Sequence, residues 1–202
     1  MTDLEIIDCD QGSDEWIQAR LGIVTASEFA SVMAKGRGGD ESKTRRTYML
    51  KLAGEILTGE PQERYSNGYM ERGHVMEPDA RNMYAFMKGV EPELVGFMKR
   101  GRFGASPDSL IQENGLLEIK SKAPHLMLDV LERGVMPSEH IPQVQGQLMV
   151  SGRDWCDFVA YWPKLPIFIK RVERDEIYIR NLRQGLDDFI GELDDIVKRY
   201  RD

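Results

Sequence analysis

The amino-acid sequence predicts a mixed α/β (α+β) fold, on three observations. Apolar residues recur at helical spacing over long stretches, above all 44–57, 68–88 and 177–200. Shorter runs at 116–120, 157–161 and 167–172 are apolar or alternating, and Gly, Pro or charged residues bound them. Helical and extended segments then interleave along 202 residues, with no internal repeat and no low-complexity tract. That pattern suits one core shared between sheet and helices. The expectation is a single domain over residues 1–202, long enough to bury a core without staples.

Composition narrows the function classes. A hydrophobic fraction of 41% with 30% charged residues is that of a soluble globular chain, and no stretch has the apolar length of a membrane span. No membrane partner is expected. The opening residues, MTDLEIIDCDQGSDEW, are acidic and lack the basic and apolar regions of a signal peptide. Cys9 and Cys156 form neither a disulfide scaffold nor a metal-type spacing, so a reducing cytoplasm is the expected location. The net charge of -7 argues against a protein that coats nucleic acid non-specifically through Lys and Arg. An enzyme that confines its basic groups, and gathers carboxylates around a cation, remains compatible with it.

Taken in order, Gln11 to Glu28 opens with a turn cluster and a short helix carrying Trp16, Ile17 and Leu21, which Gly22 ends. Thr25-Ala26-Ser27-Glu28 matches a capping box, with Thr25 as N-cap and Glu28 reaching back. Free amides there, with the Ser27 hydroxyl and Arg20, make an anion pocket, if the turn faces the central stretch described below. The plainer reading is a well-capped helix. Lys35 to Lys43 is a glycine-rich loop. Thr44 to Leu57 is helical, with Arg45 and Arg46 on it, and Thr58-Gly59-Glu60-Pro61 stops it.

Gly68 to Lys88 is helical, with Met76, Ala80, Met83, Tyr84 and Met87 as its core stripe. Glu77 precedes Pro78, which suits a helix start or a kink, and it offers a carboxylate that either faces a cleft or is solvated. His74, one turn earlier, reads as a surface or supporting residue. Glu91 to Ala105 reads as two strands. Beyond the central stretch, Pro124 breaks the strand, and His125 to Leu131 and residues 140–152 are helices. The second of these sets Gln143 and Gln147 one turn apart on one face. Asp157 to Tyr161 and Ile167 to Val172 are the last strands, and Ile177 to Tyr200 is a long amphipathic helix.

The central stretch is Ser106 to Lys120, SPDSLIQENGLLEIK. Pro107-Asp108 opens a turn and Asn114-Gly115 signals a reversal. In the strand that follows, Leu117 and Ile119 point one way while Glu118 and Lys120 point the other. Asp108 and Glu118 would meet at the mouth of a hairpin with one ammonium beside them. Mg²⁺ takes oxygen ligands and is commonly held by one or two carboxylates plus a phosphate. An exposed strand edge carrying charges for solubility is the competing explanation.

Five motifs in one order carry a resemblance to a known family. They are W-x-x-x-R-x-G-x-x-T-A-S-E at Trp16 to Glu28, G-x-x-x-E-x-x-A-R at Gly73 to Arg81, and S-P-D-x-L at Ser106 to Leu110. L-E-x-K at Leu117 to Lys120 and Q-V-Q at Gln143 to Gln145 follow. Together they resemble the phage lambda-type exonuclease family, the YqaJ-like viral recombinases of the PD-(D/E)xK nuclease superfamily.

The resemblance implies a PD-(D/E)xK restriction-endonuclease-like core, a central mixed β-sheet flanked by helices. It implies a Mg²⁺-dependent exonuclease, with Mn²⁺ as a substitute, that degrades one strand of linear double-stranded DNA from its 5′ end. The 3′ overhang would go to a single-strand-annealing protein. Asp108, Glu118 and the Ile119 carbonyl would hold the metal, with Glu77 completing the site. Lys120 would position the attacking water and Gln143 would bond near it. Arg20, Ser27 and Ser106 would bind the terminal 5′-phosphate, and Met70 would wedge the strands apart. A homotrimeric ring in the host cytoplasm completes the expectation. Another PD-(D/E)xK endonuclease and a non-catalytic end-binding recombination protein are the alternatives. A nuclease with an iron–sulfur cluster is disfavoured by the two cysteines.

Overall fold

The structure, a computed structural model, describes residues 3–36, 38, 42–61 and 68–201, with the backbone alone at 68–71 and 74. Much of the glycine-rich loop predicted at 35–43 therefore lies outside the described residues. The expected mixed class is found, with its strands sorted into two four-stranded mixed sheets rather than one. In the first, β1 (Glu5–Ile7), β3 (Phe97–Arg100), β4 (Phe103–Ala105) and β2 (Val24–Thr25) stand in that order. In the second, β5 (Ser109–Ile111), β6 (Gly115–Ser121), β7 (Trp155–Tyr161) and β8 (Phe168–Glu173) follow one another.

The second sheet positions the site. β5 and β6 form an antiparallel hairpin with Ser109 opposite Leu117, while β6 runs parallel to β7. A parallel neighbour needs a crossover. It is supplied by α5 (Pro124–Arg133) and α6 (Ile141–Ser151), the latter entered through a 3-10 turn at Ser138–His140. The tip of the hairpin differs from the expected Asn-Gly turn. The positive φ falls at Gln112 (49°), and Gly115 already belongs to β6. Gly115 is required for space, because a Cβ there would lie 2.2 Å from the Trp155 ring.

Both faces of β6 are covered, which is why it reads Leu-Leu-Glu-Ile. Leu117 and Ile119 pack with Ile111, Val159 and the buried Ala80 and Tyr84 of α4 (Gly68–Lys88). Leu116 faces the larger core with Val144, Leu148, Phe158 and the apolar stripe of α7 (Glu176–Tyr200). That stripe, Leu182, Leu186, Phe189 and Leu193, recurs every three or four residues, and α7 packs on α2 (Phe29–Met33), α3 (Lys43–Thr58) and α6. Each such buried side chain contributes about 1.5–3 kcal/mol. Gly146 lets α6 seat closely, since a Cβ there would lie 2.3 Å from the Phe29 ring.

Two local expectations are corrected. The Thr25 side chain does not cap the helix that follows: residues Ala26–Glu28 form a 3-10 turn without a side-chain cap, and Glu28 instead accepts from Ser31 Oγ at 2.7 Å. Of the stripe on α4, Met83 and Met87 are 40% and 57% exposed, leaving Ala80 and Tyr84 as its buried members. Of the two settings open to Pro78, a helix start or an interior kink, the structure gives an interior position in α4. Tyr84 donates to the buried Asp157 carboxylate at 2.8 Å, and Arg171 grips the same group at 2.9 and 3.0 Å. This anchors α4 to β7 from the far side of the hairpin.

Candidate active site

Asp108 stands just before β5, with its amide bonded to Leu117 O at 3.0 Å. Its Oδ2 accepts the Ile119 amide at 2.5 Å, so the carboxylate is tied across the hairpin to the strand that carries Glu118. Glu118 is 2% exposed on the face opposite Leu117 and Ile119. Lys120 lies on the same face as Glu118, as period two requires, with Nζ 2.6 Å from Glu118 Oε1.

The crossover brings two glutamines onto the same carboxylate. Gln143 Nε2 donates to Glu118 Oε1 and Gln147 Nε2 to Oε2, each at 2.6 Å. Two donors on Oε1 occupy both of its lone pairs, while among the described residues Oε2 takes only Gln147 and keeps one acceptor position. The spacing Gln143–Gln147 announced a shared helix face; only the fold shows that the face meets β6. Gln147 Oε1 is buried without a hydrogen-bond partner among the described residues, which is costly unless something polar uses it.

Glu77 and Arg81 are one turn apart on α4 and form an ion pair, Arg81 Nη2 to Glu77 Oε1. Arg81 also donates from Nε to Ser109 Oγ at 3.0 Å and from Nη2 to Asp108 O at 3.3 Å. Arg81 thus bridges the helix and the hairpin. In the sequence Arg81 stands out only as a motif position, although a basic residue four positions after an acid on a helix is a standing signal for a pair.

Electrostatics mark this as one site. Burial pushes the Asp108 carboxyl well above the usual carboxylate range, and the negative charges of Glu118 and Glu77 add to it, against the pull of Lys120 and the Ile119 amide. Burial lowers the Lys120 ammonium's affinity for its proton, but Glu118 and Asp108 outweigh it and the group stands above its ordinary value. Lys120 is therefore a cation at neutral pH and a hydrogen-bond donor rather than a base.

The residues expected at a terminal phosphate gather beside the hairpin. Arg20 caps α1 (Asp14–Ala19), and its guanidinium lies 4.0 Å over the Trp16 ring, with Nη2 3.4 Å from Thr25 Oγ1. Thr25 Oγ1 shares a 3.2 Å hydrogen bond with Ser27 Oγ. Trp16 Nε1 donates to Ser106 Oγ at 2.8 Å, two residues before Asp108. Gln11 fastens the same segment by donating to Pro107 O and Val95 O, both at 2.9 Å. Arg20, Ser27 and Ser106 are thus joined through Thr25 and Trp16, which the sequence marks only as a helix N-cap and a residue at helical spacing. Met70 lies in the first turn of α4, and its side chain is outside the described residues, as is that of His74.

His140 is a further neighbour that the sequence did not flag. It stacks on Phe158 with ring centroids 5.2 Å apart, and its buried Nε2 makes no hydrogen bond among the described residues, with Glu139 Oε1 3.6 Å away. Burial and the nearby Lys122 and Lys120 charges hold the imidazole down at about 4, neutral at physiological pH.

A divalent cation fits the donor set of the hairpin. The oxygens are hard, Asp108 Oδ1 takes no hydrogen bond among the described residues, and the crowding of carboxylates that raises Asp108 is what a cation relieves. Among the described residues no three His, Cys, Asp or Glu side chains are grouped to hold a metal. The fit is to Asp108 and Glu118; Glu77 is committed to Arg81.

Comparison with known proteins bears on the fold and the family. An alkaline exonuclease (LHK-Exo) from Laribacter hongkongensis is 36% identical, with a TM-score of 0.85 over 93% of this chain and 95% of its own. Its complex with dAMP matches equally well. A phage-related exonuclease from Haemophilus somnus 129PT shares the fold at 14% identity, with a TM-score of 0.66 over 88% of this chain and 96% of its own. No curated protein matches. Residues 15–154 match the YqaJ-like viral recombinase domain and include every member of the carboxylate cluster, and the chain belongs to that family.

Proposed function

We propose that the chain is a metal-dependent exonuclease that consumes one strand of linear double-stranded DNA from the 5′ end and leaves a 3′ overhang. The observation that carries the reading is the meeting of Asp108 and Glu118 with the Lys120 ammonium, 2.6 Å from Glu118, at the mouth of the β5–β6 hairpin. The 36% identity to an alkaline exonuclease over nearly the whole chain supports the reaction class.

Asp108, Glu118 and the Ile119 carbonyl would hold Mg²⁺, or Mn²⁺ in its place, with Glu77 joining if it exchanges Arg81 for the cation. When bound, that ion supplies Lewis acidity toward the scissile phosphate and a water of lowered pKa. The chain's own part is positioning. Gln143 and Gln147 fix the Glu118 carboxylate, and Lys120, a standing cation, donates toward the attacking water or a phosphate oxygen. Arg20, Ser27 and Ser106 would hold the terminal 5′-phosphate and set the first phosphodiester in register, with Met70 parting the strands.

The reading extends to one nuclease domain over 1–202, a homotrimeric ring, a single-strand-annealing partner and the host cytoplasm. Among the described residues no helix is long and apolar enough to cross a membrane. The test is a time course on linear duplexes labelled at either end, with and without Mg²⁺, beside closed circular duplex. Metal-dependent release of the 5′ label first, with the circle intact, is expected. Cutting of the circle would make the protein an endonuclease, and no release from any substrate would leave an end-binding protein.

A further inference from the structure

Away from the hairpin, a cavity of about 270 Å³ opens between β3–β4, the C-terminal end of α6 and the N-terminal half of α7. Phe103 and Ile179 form its apolar floor, and Arg100, Arg174, Arg180 and Arg183 surround it. Four guanidinium groups at one cavity are conspicuous on a chain of net charge -7. Its lone carboxylate, Glu176, is occupied by Arg174 Nε at 2.5 Å.

The fold sets three of these cations in advance. Arg100 Nε donates to Val150 O at 2.8 Å, and Arg174 Nη1 donates to Leu148 O. Arg183 donates to Asp187 at 2.9 Å and lies with its guanidinium 4.6 Å over the Phe103 ring. Arg180 is exposed and makes no hydrogen bond or ion pair among the described residues. Pre-set cations around an apolar floor lose little freedom when an anion arrives.

We propose that this cavity is a docking site for an acidic peptide segment of a partner protein, with one apolar side chain of that segment seated against Met149, beside the floor of Phe103 and Ile179. Arginine clusters recognise acidic motifs, and an apolar anchor adds the specificity that charge alone lacks. Nucleic acid fits the cavity less well. Single strands bind through aromatic faces on which bases stack, whereas Phe103 is 3% exposed and lies under Arg183. The volume is also below the range of about 300–1,000 Å³ usual for small-molecule sites, and it suits a single side chain. The inference stands apart from the reading of the carboxylate site.

The test is fluorescence anisotropy on the full chain with a labelled hexapeptide of four aspartates followed by leucine and phenylalanine. A second peptide carries serine at both apolar positions. The expected result is saturable binding of the first peptide, at least tenfold weaker binding of the second, and a tenfold loss with Arg180→Glu that Arg180→Lys restores to within threefold. Melting temperature and DNA digestion should not change in either variant. Equal binding of both peptides would overturn the proposal, as would indifference to Arg180→Glu or stronger competition by oligothymidylate than by unlabelled peptide. So would a changed sedimentation coefficient of the unliganded Arg180→Glu protein, which would make the cavity a seam between copies of the chain.

Discussion

Replacing Gln147 by leucine separates the chemistry of the site from its stability. The side chain is 1% exposed, donates to Glu118 Oε2 at 2.6 Å and leaves its own Oε1 without a partner among the described residues. Leucine removes a hydrogen bond to a charged group, a loss of about 1.5–3 kcal/mol, and also removes a buried orphan carbonyl whose desolvation costs about 1–3 kcal/mol. The two nearly cancel, so the melting temperature should move by no more than about 4 °C for a chain of this size. Glu118 meanwhile keeps donors only on Oε1 and loses the group that fixes its second oxygen. Loss of a group that orients a metal-binding carboxylate costs about 10–100-fold in metal affinity or activity, equivalent to about 1.4–2.7 kcal/mol. The assay is the initial rate of linear-duplex digestion titrated with Mg²⁺, beside thermal denaturation of the metal-free protein. A rate and half-saturating Mg²⁺ concentration within about twofold of the parent would refute the claim that Gln147 holds Glu118. A fall in melting temperature beyond about 8 °C would refute the cancellation.

Asp157→Ala should cost about 1–3 kcal/mol, because it leaves the buried Tyr84 hydroxyl unpaired while the half-exposed Arg171 guanidinium turns to solvent; urea unfolding checks it, and a cost under about 0.5 kcal/mol would mean that α4 is held by packing alone. Arg20→Ala should slow digestion of 5′-phosphorylated ends about tenfold more than that of 5′-hydroxyl ends, in a competition between the two substrates; equal slowing removes the phosphate pocket. His140 has its folded-state pKa lowered to about 4, so its share of stability is complete above the unfolded value and is lost as pH falls from roughly 6.5 toward 4; His140→Leu should flatten the melting temperature in that window. Asp108 is shifted the other way, so in the metal-free protein its ionisation opposes folding as pH rises. Asp108→Asn should then raise the metal-free melting temperature at pH 8 by about 2–4 °C, equivalent to about 1 kcal/mol, while abolishing digestion; a lower melting temperature would show that the charged hydrogen bond from Ile119 outweighs the crowding.

The long, periodic elements were legible because their patterns are local. α3, α4, α7 and the alternation of β6 follow from spacing alone, and with them the pairing of Glu118 with Lys120 on one face. Strands β1 and β2, of three and two residues, are too short to carry a period, and they exist because β3 and β4 offer edges. The capping box at Thr25 failed because neighbours in the chain compete for its side chain: Arg20 and Ser27 engage the hydroxyl that would have capped the helix. The methionines of α4 carry a core-like spacing, yet Met83 and Met87 lie on the side turned from the sheet. At the site, the identities of Asp108, Glu118 and Lys120 could be read. The grip of Gln147 on Glu118 and of Arg81 on the hairpin depended on which helix face meets which strand.

The crossover between the two parallel strands has a consequence for how such an enzyme is built and inherited. Asp108, Glu118, Lys120 and both glutamines come from one run of about forty consecutive residues, so the loops that must close to bring them together are short and entropically cheap. The carboxylate cluster is thus a nearly self-contained cassette, and on the proposed reading the N-terminal segment with Arg20 would be the attachment that selects the end at which it starts. Lineages that exchange the attachment while keeping the cassette would change the substrate end without rebuilding the catalyst.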